Sequence, residues 1–129
     1  MRVLVDTHAW LWMLTSPDRL PPAVRTTVSD MRTEVLLSAA SAWEIAIKYQ
    51  LGKLPLPEAP AAYVPARVAA SGCTALAIDH NAALRAGLLP DHHRDPFDRL
   101  LVAQAQILDV PLVSGDHALD AYDVNVLWS

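Results

Sequence analysis

Short runs of β-branched and aliphatic residues alternate with stretches carrying helix punctuation along the whole chain, and no feature constrains the fold more. Arg2–Val5, Glu34–Ser38, Thr74–Ile78, Pro111–Val113 and Val124–Leu127 read as strands. Helical segments lie between them: Asp6–Leu14, Pro21–Met31, Ala39–Leu51 closed by Gly52, Pro60–Ala70 ended by Gly72, Asp79–Leu88 and Pro96–Leu108. A short helical turn follows at Asp116–Tyr122. The punctuation is physical. Asp accepts the free N–H groups of a first turn, Pro loses nothing at the first helical position, and Gly ends a helix in the left-handed region. Strands that alternate with helices pair in parallel through right-handed crossovers. The expectation is an α/β chain with a central parallel five-stranded sheet, layered α/β/α, in a single domain over residues 1–129.

In such sheets, ligands bind beyond the carboxyl ends of the strands. Asp6 directly follows the first strand, and Asp116 lies just past the fourth in Leu112-Val113-Ser114-Gly115-Asp116. Each is explained as an N-cap if taken singly. Glu44 sits in the otherwise apolar segment Ala42-Trp43-Glu44-Ile45-Ala46-Ile47, where Ser41, Glu44 and Lys48 form one polar stripe. An exposed i,i+4 Glu–Lys pair is the plain alternative there. In His92-His93-Arg94-Asp95-Pro96-Phe97-Asp98-Arg99, Asp95 is a cap, Pro96 the first helical residue and Asp98 an acid favoured by the helix dipole. That grammar explains a helix start but not the crowding of acids and arginines. Taken together, carboxylates gathered at one sheet edge repel one another unless a cation joins them. Oxygen ligation suits Mg²⁺ or Mn²⁺, which activates water and stabilises the departing oxygen of a phosphodiester.

These segments together resemble the PIN-domain ribonucleases, specifically the VapC-type toxins of type II toxin–antitoxin systems. Val3-Leu4-Val5-Asp6-Thr7-His8-Ala9 is similar to that family's first motif, and Ser38 through Lys48 to its second. His93 through Ala105 resembles the third, and Leu112 through Asp116 the fourth, with Ser114 where Thr is common. The likeness runs nearly end to end. It implies that Asp6, Glu44, Asp98 and Asp116 are the catalytic, metal-binding acids. It also implies Mg²⁺ or Mn²⁺ dependence, a homodimer, inhibition by a cognate VapB-like antitoxin, and structured RNA, often transfer or ribosomal RNA, as substrate. Asp95, Thr7, Ser41 and Ser114 are secondary candidates for orienting carboxylates or water, and Arg94 and Arg99 for holding phosphate. Trp10 and Trp12 are expected to meet the antitoxin, because the first helix is apolar on almost every face.

Composition adjusts this reading without deciding it. Apolar residues at 53% and charged residues at 19% describe a globular chain. Net charge of −4 weighs against a nucleic-acid partner, but a bound divalent ion reverses the local sign. The lone Cys73 staples nothing and fits a reducing cytoplasm. The opening apolar run is broken by Asp6 and His8 before it could serve as a leader, and no stretch is long enough to span a bilayer. Two other enzyme classes fit less well. A haloacid-dehalogenase-like phosphatase needs a second Asp where His8 stands, and a zinc hydrolase built on His8, His92, His93 and Asp95 lacks HExxH-type spacing. A non-enzymatic docking module would have no need of all the acids.

Overall fold

The computed structural model describes residues 1–129. Five strands, β1 (Arg2–Val5), β2 (Glu34–Ser38), β3 (Thr74–Leu76), β4 (Leu112–Val113) and β5 (Val126–Leu127), form one parallel sheet in the order β3-β2-β1-β4-β5. Six α-helices connect and cover it: α1 (Thr7–Thr15), α2 (Pro22–Ser29), α3 (Ala39–Gln50), α4 (Pro60–Ser71), α5 (His80–Leu88) and α6 (Pro96–Leu108). Two 3₁₀ turns, Pro17–Arg19 and His117–Ala121, complete the chain. This is the three-layer α/β/α arrangement that the alternation of strands and helices predicts. No helix is long and apolar enough to cross a membrane.

Alternation along the central strands sorts side chains into two cores. Val3 and Val5 of β1, Val35 and Leu37 of β2, and Val113 of β4 join Trp10, Ile45 and Tyr63 on one face. Leu4, Leu36 and Leu112 point the other way and pack with Leu101, Val102 and Leu119. A central parallel strand must be apolar where both faces are covered, and β1 is so from Val3 to Val5, with Arg2 at its exposed start. The polar exception ties the layers together. Ser38 donates to Gln104 of α6, and Gln104 Nε2 donates to Ala77 O beyond β3.

The helix starts are where the acids and prolines place them. Asp6, Asp79 and Asp95 each accept a first-turn N–H of α1, α5 and α6. Several elements are shorter than their sequence pattern, and for three of them the cause is visible. α2 stops at Ser29 because Asp30 leaves helical backbone and its carboxylate accepts the Arg32 amide at 2.9 Å. β3 stops at Leu76, and the Ala77 carbonyl goes to Gln104. β5 starts only at Val126, since Val124 N–H turns back to Tyr122 O.

The sheet has one topological switch. From β1 the chain grows outward through β2 to β3, then returns to place β4 on the other side of β1. The crevice beyond the ends of β1 and β4 is therefore where this architecture binds ligands.

Candidate active site

Four segments deliver acids to that crevice. Asp6 leaves β1, Glu44 projects from the second turn of α3, Asp98 lies in the first turn of α6, and Asp116 follows β4. All four line one cavity of about 220 Å³ together with Thr7, His8, Lys48, His93 and Asp95, with no hydrophobic residue in its wall.

The cap and ligand readings of the acids are compatible. Asp6 Oδ1 accepts the Ala9 amide at 2.7 Å, and Asp116 Oδ1 accepts the Ala118 amide at 3.0 Å. Neither amide engages the second oxygen of its carboxylate. Ser114 joins the two, hydrogen-bonding the Asp6 carboxylate and accepting the Asp116 amide at 3.1 Å. Asp95 is the cap of α6, accepting the Phe97 amide at 2.8 Å and the Asp98 amide at 3.3 Å.

Glu44 is no surface residue. It is 6% exposed, receives the Thr7 hydroxyl at 2.5 Å on Oε1 and faces Lys48 Nζ at 2.8 Å from Oε2. Both the Glu–Lys pair and the inward placement are thus present. Burial raises the Asp6 pKa above the ordinary carboxylate value, against the Ser114 and Ala9 hydrogen bonds that lower it. Burial also pushes Asp98 up to about 6, opposed by its hydrogen bond to His93 and reinforced by Asp95.

The tightest grouping contains His93, which the sequence offered as a ligand only in the less fitting zinc reading. His93 Nε2 lies 2.9 Å from Asp98 Oδ2 and 3.3 Å from Asp116 Oδ2. Its backbone is clamped: the His93 N–H donates to the Tyr122 hydroxyl at 2.9 Å, and Arg99 Nη1 donates to the His93 carbonyl at 3.3 Å. Its sequence signals were its place at the start of the third motif and two residues before the cap of α6, from which a side chain can fold back over the first turn. His92 is exposed and rests edge-on against Tyr122.

Other expectations need correction. Arg99 does not face the cavity; its guanidinium donates to the carbonyls of Ala86, Leu89, Pro90 and His93. Five donors in a rigid fork suit this task of gathering the end of α5 and the loop before α6. Arg94 is exposed in that loop and does not line the cavity. Ser41 is fully buried, with a hydroxyl that has no partner, and it too stays outside the cavity wall. Trp10 is wholly buried in the core, so it has no surface to offer a partner. Trp12 is half-buried, beside Trp128 at 6.0 Å between ring centroids, with the Arg19 guanidinium 4.8 Å above its ring. The apolar faces of α1 are largely covered by the chain itself, because Leu11, Met13 and Leu14 also pack on the core.

A switch-point crevice walled by acids from four separate segments, in a sheet of this order, defines a class. The chain belongs to the PIN domain family, whose profile matches residues 3–125. Among individual relatives, it is similar to Ribonuclease VapC16 of Mycobacterium tuberculosis, 59% identical over 56 residues that cover 43% of this chain and 40% of that relative. The matched segment is thus less than half the length of either protein. Similar folds occur in VapBC2 from Rickettsia felis bound to a DNA fragment from its promoter (TM-score 0.67, 12% identity, full coverage of both chains). A toxin–antitoxin complex from Klebsiella pneumoniae is also similar (TM-score 0.64, 14% identity, 97% of this chain and 95% of the other). So is VapBC-1 from nontypeable Haemophilus influenzae (TM-score 0.62, 14% identity, 98% and 97%). At these identities the likeness is one of fold.

Proposed function

We propose that this chain is a metal-dependent endoribonuclease, the toxin of a toxin–antitoxin pair, that hydrolyses RNA phosphodiester bonds. The observation that carries the reading is the meeting of Asp6, Glu44, Asp98 and Asp116 in one wholly polar cavity at the switch point of the sheet. Membership of the PIN family and the likeness to Ribonuclease VapC16 support the nuclease assignment.

The donor set fits Mg²⁺ or Mn²⁺. Carboxylates that burial makes reluctant to ionise are stabilised as anions by a cation beside them, and hard divalent ions take oxygen ligands. Asp6, Glu44, Asp98 and Asp116 would hold the ion, directly or through water. Such an ion supplies water activation and neutralises charge building on the phosphodiester. The chain's own groups do the positioning. Lys48 and Thr7 hold both oxygens of Glu44. Ser114 links Asp6 to the Asp116 backbone, so the ends of β1 and β4 keep their acids in register. The Ala9 and Ala118 amides fix one oxygen of each of these acids and leave the other for the ligand.

Asp6→Asn tests the reading, because it keeps the shape of the side chain and removes its charge. We expect RNA cleavage by the purified chain to require Mg²⁺ or Mn²⁺ and to disappear in this variant. Cleavage by Asp6→Asn at the wild-type rate, in preparations free of other nucleases, would remove the mechanism.

The partners in the proposal, a VapB-like antitoxin and a second copy of the chain, come from the family and from fold relatives described as toxin–antitoxin complexes. Transfer or ribosomal RNA is the substrate class the family suggests. Trp12, unlike Trp10, keeps exposed surface on α1 for an antitoxin contact. Trp12→Ala should lower co-purification of the antitoxin and relieve inhibition; unchanged yield and inhibition would move the contact to another surface.

A further inference from the structure

We propose that His93 is itself a ligand of the catalytic cation, binding through Nε2 with Asp98 and Asp116, and that this mixed nitrogen–oxygen set makes the centre prefer Mn²⁺ to Mg²⁺. The inference rests on the cation-dependent reading above and goes beyond its four acids.

Three observations carry it. The first is spacing. One nitrogen of His93 and one oxygen each of Asp98 and Asp116 lie within 4.8 Å of one another. Nε2 stands 2.9 and 3.3 Å from the two oxygens. Ligand atoms bound side by side to one small divalent ion, with bonds of about 2.0–2.2 Å, lie roughly 3 Å apart.

The second is the way the backbone that carries the imidazole is held. Tyr122 and Arg99 grip both backbone polar groups of His93, the N–H and the carbonyl. Neither residue lines the cavity. A loop histidine serving only as a solvated cation needs no such anchoring. A ligand does, because its atom must be placed in advance.

The third is the distribution of partners among the acids. Glu44 has Lys48 and Thr7, and Asp6 has Ser114 and the Ala9 amide. The side chain of Asp98 has only His93, and the same imidazole is what Asp116 Oδ2 faces. The side of the cavity with the least compensation from the protein is the side where the nitrogen sits. Oxygen-only sets suit Mg²⁺, which dehydrates reluctantly and demands near-ideal octahedral geometry. Imidazole favours transition ions, and affinity rises along that series beginning with Mn²⁺.

Pulsed EPR of Mn²⁺ added to the full chain tests this directly, since a coordinated imidazole nitrogen modulates the Mn²⁺ electron-spin echo. The controls are His93→Gln, His8→Gln and Asp98→Asn, each checked for folding by circular dichroism. His8 is the other imidazole in the cavity wall. We expect nitrogen modulation in wild type and in His8→Gln. In His93→Gln it should vanish, with Mn²⁺ affinity reduced by roughly tenfold or more and Mg²⁺ affinity by less. Should His93→Gln fail to fold, modulation persisting in His8→Gln still assigns the nitrogen to His93. Mn²⁺ binding that depends on Asp98 but shows no nitrogen modulation would overturn the inference and leave the cation reading standing. Modulation lost in His8→Gln instead would transfer the role to His8 and overturn it as well. Absence of any Asp98-dependent Mn²⁺ binding would remove both.

Discussion

A carboxylate has two oxygens, and here the difference between them matters. Asp6 and Asp116 each use one to hold a first-turn amide and leave the other at the cavity, so a capping signal and a ligand signal are written in the same residue. Asp98 sits inside the first turn, and burial raises its pKa. Its pKa stands at about 6, against an ordinary 3.8. For an acid shifted upward by folding, the protonated folded form is favoured. Its contribution to stability is complete below about pH 4 and is lost as pH rises through about 6. Without metal, Asp98→Asn should therefore match wild type near pH 4 and become the more stable protein above pH 6, in thermal melts across that window. Melting curves that stay parallel across the window would contradict the shift. His93 and Arg99 show what residue type alone does not convey. Both stood in a segment full of charge, and only the folded chain reveals that one turns into the cavity while the other turns back onto carbonyls.

At the scale of elements, the turn leaving β4 is the tightest fit near the site. A methyl group at Gly115 would come within 2.8 Å of the Trp128 indole. Trp128, just past the last strand, thus presses its indole against the residue that precedes Asp116. Gly115→Ala should destabilise the chain by about 1–3 kcal/mol, as overpacking does, and lower cleavage although every acid remains. Adding Trp128→Leu should recover part of both losses, and a double-mutant cycle in denaturant and in RNA cleavage measures the coupling. Strictly additive effects would place the strain elsewhere. Much of this level was legible in the sequence. β2 and α6 fall on the residues their patterns indicate, and Asp79 and Asp95 cap the helices they introduce. Those features are local: a cap, a proline, a run of β-branched residues. The division of α1 into a buried Trp10 and a half-buried Trp12 was not legible, because an all-apolar helix does not say which face the sheet takes. The stopping points of α2, β3 and β5 likewise depend on partners such as Arg32, Gln104 and Tyr122, some of them far away in sequence.

For the molecule as a whole, the acid cluster links ligand binding to stability. An ion that binds only the folded chain stabilises it by RT ln(1 + [L]/Kd), about 2.7 kcal/mol at a hundredfold excess over Kd. Mn²⁺ should accordingly raise the melting temperature of wild type more than that of Asp98→Asn, and equal shifts would argue against a shared site. The order of the strands carries a different consequence. β1 is the first strand made, yet one of its two neighbours is β4, and Asp116 arrives only with the turn after that strand. Such distant pairing is slow to form, since a long loop must close before any contact rewards it. A chain halted on the ribosome or clipped before Leu112 would own Asp6, Glu44 and Asp98 but neither the neighbour that aligns β1 nor the fourth acid. On the proposed function, cleavage would therefore await the closing of the sheet, when β4 and Asp116 join the other acids.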